Sequence, residues 1–152
     1  MQAWRITKRI HALDQTATGA FKYGGRWNAP GTSAIYAALS IELAALEKLV
    51  HVGNVLPTDL VLVVIDLPDQ ESLFEEATLQ TLPPGWNTLP SSASAAPFGT
   101  SFLTTGQKLG LIVPSVIIPE TRNIVINPGH AAFKNVSMRI ERDFEFDHRF
   151  RK

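Results

Sequence analysis

One segment restricts the fold of this chain more than any other: the β-branched run in TDLVLVVIDLP, residues 58–68. An apolar run of this length is typical of a strand buried on both faces. It is far too short to span a bilayer and contains Asp66. Within the strand segment 111–119, Pro114 predicts an edge position or a bulge. The segments with strand character, besides 58–68, are 3–6, 33–39, 111–119, 123–127 and 136–147.

The clearest helix is SIELAALEKLVHVG, residues 40–53, with Ser40 as its N-cap and Gly53 as its stop. Its leucines and alanines form a broad apolar arc. Glu47 and His51 are four residues apart on the neighbouring polar flank, so they can contact each other or a common ligand.

Two further helices are expected. One spans 70–82 and is ended by Pro83–Pro84, and a weaker one spans 100–110. Residues 83–98 are rich in Pro, Ser, Ala and Gly without periodicity, which predicts a functional lid or a disordered connection. We therefore predict an α+β fold: a compact single domain, 1–152, with a mixed β-sheet core flanked by helices.

Composition excludes several classes of function. Lys plus Arg (14) equal Asp plus Glu (14), whereas a protein held by nucleic-acid phosphates usually has a basic surplus. Without cysteine there is no disulfide, thiol nucleophile or thiolate metal site. The four histidines are scattered without metal-ligand spacing, which argues against a bound zinc. The first residues contain no apolar signal core, so we expect a cytoplasmic protein.

The segment KYGGRWNAPG, residues 22–31, is unusual for a loop. Paired glycines allow close approach of the backbone, and Arg26, Trp27 and Asn28 follow at once. Arg26 can form a bidentate fork with phosphate or carboxylate, and Trp27 can stack on a planar ring. The alternative is structural: Trp27 anchors a hairpin while Arg26 pairs with a local acid.

Three other positions admit both a structural and a functional interpretation. Glu47 is either a solvated flank residue or a cleft carboxylate. Tyr36 is either a core aromatic whose hydroxyl finds a partner or part of a pocket. Ser115 either points into a cleft or satisfies its own backbone, and Asn127–Pro128 predicts an ordinary turn.

The order of the motifs separates these alternatives. GGRWN-x-PG-x-x-A-x-Y, then E-x-A-A-L-E-K-L-V-H, then VPSVIIPE-x-x-N-x-V-I-NP-x-H resembles the RES domain family from about Trp4 to His130. The Arg, Glu and Ser that name this family would be Arg26, Glu47 and Ser115. Two departures are the absence of a proline after the histidine in Gly129–His130–Ala131 and a loose match over 83–106.

The resemblance implies an ADP-ribosyltransferase-like fold and the toxin of a RES–Xre toxin–antitoxin pair that consumes NAD⁺ as substrate, with no other cofactor and no metal. Glu47 would stabilise the charge that develops on the ribose, and Arg26 would bind the diphosphate. Tyr36 would pack near the nicotinamide, and Ser115 would hydrogen-bond a ribose or the amide. Trp27 would stack on a ring or support the loop from behind.

Arg5 and Asn28 are also expected to contact the dinucleotide. The implied partner is a helix-turn-helix antitoxin of the Xre type that forms a hetero-oligomer with this chain, which would not itself bind nucleic acid. The acceptor of the ADP-ribose stays open among water, inorganic phosphate and a specific protein. An RNA-cleaving toxin and a non-catalytic nucleotide- or peptide-binding module are the alternatives of a different kind.

Overall fold

The computed structural model describes residues 1–90 and 93–150. Seven strands form one mixed sheet in the order β4-β5-β6-β2-β1-β3-β7, and every neighbouring pair is antiparallel except β4 and β5. The strands are β1 Gln2–Lys8, β2 Ile35–Ala38, β3 Leu60–Asp66, β4 Phe74–Glu76, β5 Gly110–Pro114, β6 Arg122–Ile126 and β7 Ser137–Phe144.

In the described residues three helices flank this sheet: α1 Thr18–Tyr23, α2 Ile41–Val50 and α3 Ala95–Thr105. The predicted α+β class, a mixed sheet in a compact domain, is therefore confirmed. Short 3₁₀ turns lie at Arg9–His11, Glu71–Leu73, Ala131–Asn135 and His148–Phe150. Within residues 1–90 and 93–150, no helix has both the length and the apolar character needed to cross a membrane.

The strand predicted at 58–68 is confirmed as β3, which pairs with β1 on one side and β7 on the other. Its residues Leu60 to Ile65 are all buried, because apolar side chains cover both faces of the sheet at this position. The N-cap prediction for α2 is also confirmed, since the Ser40 Oγ accepts a hydrogen bond from the Leu43 N–H.

The helix predicted at 70–82 is wrong. This segment forms a 3₁₀ turn and the short strand β4. Apart from single local turns, its backbone bonds to the β5 region and not in a continuous helical ladder: the Leu73 carbonyl accepts from the Leu109 N–H, and the Ala77 N–H donates to the Ile112 carbonyl. Leu73 and Phe74 pack against the core, so tertiary contacts outweigh the local helix propensity.

Two other boundaries differ from the sequence prediction. Helix α3 begins at Ala95, inside the segment 83–98 that was predicted to be a functional lid or a disordered connection, while residues 91 and 92 of that segment lie outside the described residues. Strand β5 is internal to the sheet, not at an edge. Strand β4 nevertheless ends opposite Ile112, so Pro114 has no strand partner on that side and its missing N–H is tolerated there.

The sheet divides between β1 and β2. These strands share one registered pair, Trp4 with Ala38, whereas β1 and β3 pair along seven residues. Beyond Trp4 the two strands have no further registered pair, and α2 contacts both of them. The candidate site lies at this junction, in a cleft lined by residues of both strands.

Candidate active site

A cleft of about 890 Å³ opens between β1 and β2. Its walls include residues 4–6 of β1, residues 36–38 of β2, the Gly24–Trp27 loop, one face of α2 and residues at the end of β5 and on β6. This volume lies in the range usual for sites that take small molecules. Of the residues singled out in the sequence, Arg5, Arg26, Trp27, Tyr36 and Glu47 line the cleft, whereas Asn28 and Ser115 lie behind it.

Arg26 is fixed at the mouth of the cleft by backbone carbonyls. Its Nη1 donates to the carbonyl oxygens of Trp86, at 2.8 Å, and Thr88, at 3.1 Å. In the described part of the chain no group accepts from its Nε or Nη2. Burial lowers the pKa of Arg26, and the nearby charge of Glu47 opposes that shift. The guanidinium therefore remains a cation with donors available to a ligand.

Trp27 supports this loop from behind. Trp27 is only 4% exposed. Its ring stacks on the Trp86 ring with 6.2 Å between centroids and makes an edge contact with the Phe98 ring. Gly99 of α3 lies directly against the Trp27 backbone. The indole therefore belongs to the packed layer under the loop, which favours the supporting role over stacking on a ligand.

Tyr36 and Asn28 hold the glycine loop in shape. The Tyr36 hydroxyl accepts from the Trp27 N–H at 3.0 Å and donates to Asn28 Oδ1 at 2.6 Å. Asn28 is buried, and its Nδ2 donates to the carbonyls of Ala20 and Thr32. Burial raises the pKa of Tyr36 above its ordinary value, so the hydroxyl keeps its proton.

This network predicts a measurable cost for Tyr36→Phe. The change leaves the Trp27 N–H and Asn28 Oδ1 without partners in a buried region, which should lower the free energy of unfolding by about 1–3 kcal/mol. The melting temperature should fall by about 3–10 °C. The control is Tyr23→Phe, because Tyr23 is exposed and no hydrogen bond of its hydroxyl is present in the described residues. Equal melting temperatures of Tyr36→Phe and Tyr23→Phe would contradict the role of the Tyr36 hydroxyl in holding the loop.

Glu47 is held by two side chains from the sheet. Its Oε1 accepts from Ser115 Oγ at 2.9 Å and from Asn123 Nδ2 at 2.6 Å. Ser115 is fully buried, and its Oγ also accepts from the N–H of Ile117 at 3.0 Å, so this serine satisfies its local backbone and also holds Glu47. His51 lines the same cleft without bonding to Glu47 in the described structure.

The cleft carries an excess of positive charge although the whole chain is neutral. Among its lining residues, Arg5, Arg26 and Lys48 are cations and Glu47 is the single carboxylate. Arg5 donates to the His11 carbonyl and has no carboxylate within ion-pair distance among the described residues, and the same holds for Lys48. Burial lowers the pKa of both; the charge of Asp14 opposes the shift at Arg5, whereas repulsion from Lys8 and Arg5 adds to the shift at Lys48. The arrangement favours an anionic ligand.

Metal chemistry has no obvious ligand set here. In the described ranges, 1–90 and 93–150, no group of three or more His, Asp or Glu side chains is arranged to hold a metal ion. His130 serves its own turn, since its Nδ1 accepts from the Ala132 N–H.

Comparison with known proteins identifies the family. A family model described as RES domain matches residues 2–147. This chain belongs to the RES domain family. It is 38% identical to "Prs ADP-ribosylating toxin" of Sphingobium sp. over 96% of this chain and 94% of that protein. It is also 38% identical to "Toxin Res" of Photorhabdus laumondii, over 100% of this chain and 98% of that protein.

The fold is also similar to that of a solved structure. A chain in the crystal structure of the M. tuberculosis MbcT–MbcA toxin–antitoxin complex superimposes with a TM-score of 0.65 at 19% identity, covering 95% of this chain and 83% of that chain. At this identity the likeness supports the fold alone. The RES domain fold of the present chain thus has an experimentally determined counterpart.

Sequence reasoning missed two residues of this RES domain site, Asn123 and Lys48. Asn123 stands in the quoted motif eight residues after Ser115, and the hairpin of β5 and β6 pairs it with Val113. A hairpin prediction could therefore have placed it beside the serine. Lys48 follows Glu47 directly, but a helix turns 100° per residue, so nothing local indicated that both side chains reach one cleft.

Proposed function

We propose that this chain is the toxin of a toxin–antitoxin pair and that it cleaves the nicotinamide–ribose bond of NAD⁺ in the cytoplasm. The observation that carries the proposal is the Glu47 carboxylate, fixed at one oxygen by Ser115 and Asn123 in a cationic cleft beside Arg26. The family's toxin names and a relative named as an ADP-ribosylating toxin support it.

One carboxylate is sufficient for this reaction. Nicotinamide is bound to ribose as a cationic pyridinium and departs as a neutral molecule, so it needs no general acid. Most glycosidases use two carboxylates because their leaving group must be protonated. In the proposed mechanism Glu47 hydrogen-bonds a ribose hydroxyl and stabilises the oxocarbenium-like charge as the bond breaks.

Arg26 is the proposed ligand of the diphosphate. Its Nη1 is bound to two carbonyls, which orients the guanidinium, and its remaining N–H groups are available to phosphate oxygens. Arg5 and Lys48 supply further positive charge in the same cleft. Tyr36 and Asn28 act here by holding the loop that carries Arg26, and Trp27 supports it from behind.

The role of Arg26 can be tested by substitution. Arg26→Ala should raise KM for NAD⁺ about 10–100-fold, because a hydrogen bond to a charged group contributes about 1.5–3 kcal/mol. Arg26→Lys should recover little of this loss, since an ammonium cannot form the same fork. The control is Arg139→Ala, because Arg139 is an exposed arginine of β7 that pairs with Asp66 of β3, away from the cleft-lining residues. An unchanged KM in folded Arg26→Ala would remove the diphosphate role.

The proposal also concerns which molecule accepts the ADP-ribose. We favour water or inorganic phosphate, with a protein acceptor as the second candidate, because the 38%-identical relative is named as an ADP-ribosylating toxin. The proposed partner is a helix-turn-helix antitoxin of the Xre type that neutralises the chain in a hetero-oligomer. An enzyme that consumes NAD⁺ in its own cell would harm that cell, so a neutralising partner is expected, and the relatives named as toxins support it.

A single experiment tests the function. The purified chain is incubated with NAD⁺, with and without inorganic phosphate, and released nicotinamide is measured. In parallel, NAD⁺ labelled on the adenylate is added to a cell lysate. Release that depends on phosphate identifies phosphorolysis, release without it identifies hydrolysis, and label on one protein band identifies a protein acceptor. No release and no labelled band would overturn the proposal and leave a binding module.

A further inference from the structure

Both hydrogen bonds to the Glu47 side chain end on the same oxygen. Asn123 Nδ2 and Ser115 Oγ converge on Oε1, at 2.6 and 2.9 Å. Within residues 1–90 and 93–150, no group donates to Oε2. Because Glu47 lines the cleft, Oε2 is the carboxylate oxygen left for a ligand.

The two donors tie a helix to the sheet. Glu47 is on α2, Asn123 is on β6 opposite Val113 of β5 and Ala38 of β2, and Ser115 directly follows β5. A glutamate on a helix surface normally samples several rotamers. Here the sheet selects one, so the ordering of this long side chain is completed during folding and not when a ligand binds.

Asn123 differs from Ser115 in what else it does. The Ser115 hydroxyl also accepts from the N–H groups of Ile117 and Ile118, so this serine supports the turn after β5. The Asn123 side chain has Glu47 as its single hydrogen-bond partner in the described structure, and it lines the cleft. Its amide is therefore directed at the carboxylate and is not needed by the local backbone.

We propose that Asn123 is a positioning residue: it fixes Oε1 of Glu47 so that Oε2 meets the substrate in one orientation. This inference rests on the proposed function and deepens it. A donor that holds the carboxylate in place before substrate arrives should act mainly on the chemical step, because its contribution is the orientation of Glu47 and not contact with distant parts of the substrate.

The test compares Asn123→Ala and Asn123→Asp with wild type. In Asn123→Ala, kcat for nicotinamide release should fall about 10–100-fold while KM changes by less than about 3-fold, because misplacing a catalytic group by about 1 Å can cost about 100-fold. Asn123→Asp keeps the size of the side chain but sets a second carboxylate against Oε1, so its kcat should be lower still. A role in shape alone would leave Asn123→Asp close to wild type.

The matched control is Arg122→Ala on the same strand. Arg122 pairs with Glu76 and is not among the cleft-lining residues, so its removal should leave kcat unchanged. A second readout is independent of turnover: the ¹³C signal of the Glu47 carboxyl, assigned by its loss in Glu47→Gln, should move in Asn123→Ala and stay in Arg122→Ala. An unmoved signal would overturn the proposed contact.

The outcomes separate this inference from the proposed function. If wild type releases nicotinamide and Asn123→Ala keeps kcat within about 2-fold, well short of the loss expected for a misplaced group, the positioning role is wrong and the function stands. If wild type releases none with any acceptor, the proposed function is wrong. The readout is then growth arrest when the chain is expressed. Arrest that is lost in both Asn123 variants and kept in Arg122→Ala supports the positioning role of Asn123. Equal arrest by all three variants overturns that role.

Discussion

Glu47→Gln should lower kcat for nicotinamide release by about 10²–10³-fold, the loss typical of removing one preorganised electrostatic partner of a transition state. Glutamine keeps the length of the side chain and one oxygen that can accept from Ser115 and Asn123. It removes the negative charge, which is the property that the developing oxocarbenium requires. KM should change little, because the charge acts on the transition state more than on bound NAD⁺.

Glu42→Gln is the matched control for this prediction. Glu42 is an exposed glutamate in the first turn of the same helix and is not among the cleft-lining residues. Its substitution should cost only the interaction with the helix N-terminus, about 0.3–1 kcal/mol of stability. A Glu47→Gln protein that turns over NAD⁺ as fast as Glu42→Gln would mean that another group stabilises the charge, and the mechanism built on Glu47 would be abandoned.

The elements predicted well are those whose signal is local. The buried run of β3, the Ser40 cap of α2 and the alternation of β7 each depend on residues that are neighbours in the chain. The segment 70–82 failed for the opposite reason. Its backbone partners, Leu109 and Ile112, are about 35 residues away, so a local pattern could not reveal that it adds a strand to the sheet.

The site was predictable as a set of residue types but not as an arrangement. The motif order placed Arg26, Glu47 and Ser115 in one family pattern, whereas the direction of each side chain depends on long-range packing. Ser115 is buried and donates to Glu47 from inside the protein, a contact that the motif order did not indicate, while its hydrogen bond to a ribose or the amide stays a prediction. Trp27 had two possible roles, and its contacts with the distant residues Trp86 and Phe98 favour one of them.

Gly99→Ala is the prediction with the largest expected effect on stability. In an exposed helix this change is favourable by about 0.5–1 kcal/mol, because glycine loses more backbone freedom on folding. At Gly99, however, a Cβ atom would overlap the Trp27 carbonyl oxygen and lie 2.7 Å from its carbonyl carbon. Backbone atoms cannot rotate away as a side chain can, so overpacking should dominate and cost about 2–3 kcal/mol.

The same substitution at Gly19 should have the opposite sign. Gly19 is in α1, and a Cβ atom built there meets nothing within 4 Å. We expect Gly19→Ala to melt at or above the wild-type temperature and Gly99→Ala to melt about 5–10 °C below it. Unchanged melting of Gly99→Ala would show that α3 can move away from the Trp27 loop without cost.

The activity of Gly99→Ala tests whether the packing of α3 against Trp27 affects substrate binding. Helix α3 presses on Trp27 and its Thr100 Oγ1 accepts from the Ala29 N–H, so a displaced helix shifts the loop that carries Arg26. We therefore expect KM for NAD⁺ to rise in Gly99→Ala at temperatures where the protein is still folded, and to stay at the wild-type value in Gly19→Ala. A destabilised variant with normal KM would separate the stability of the loop from the geometry of the site. A raised KM would place the contact between α3 and Trp27 among the determinants of substrate binding.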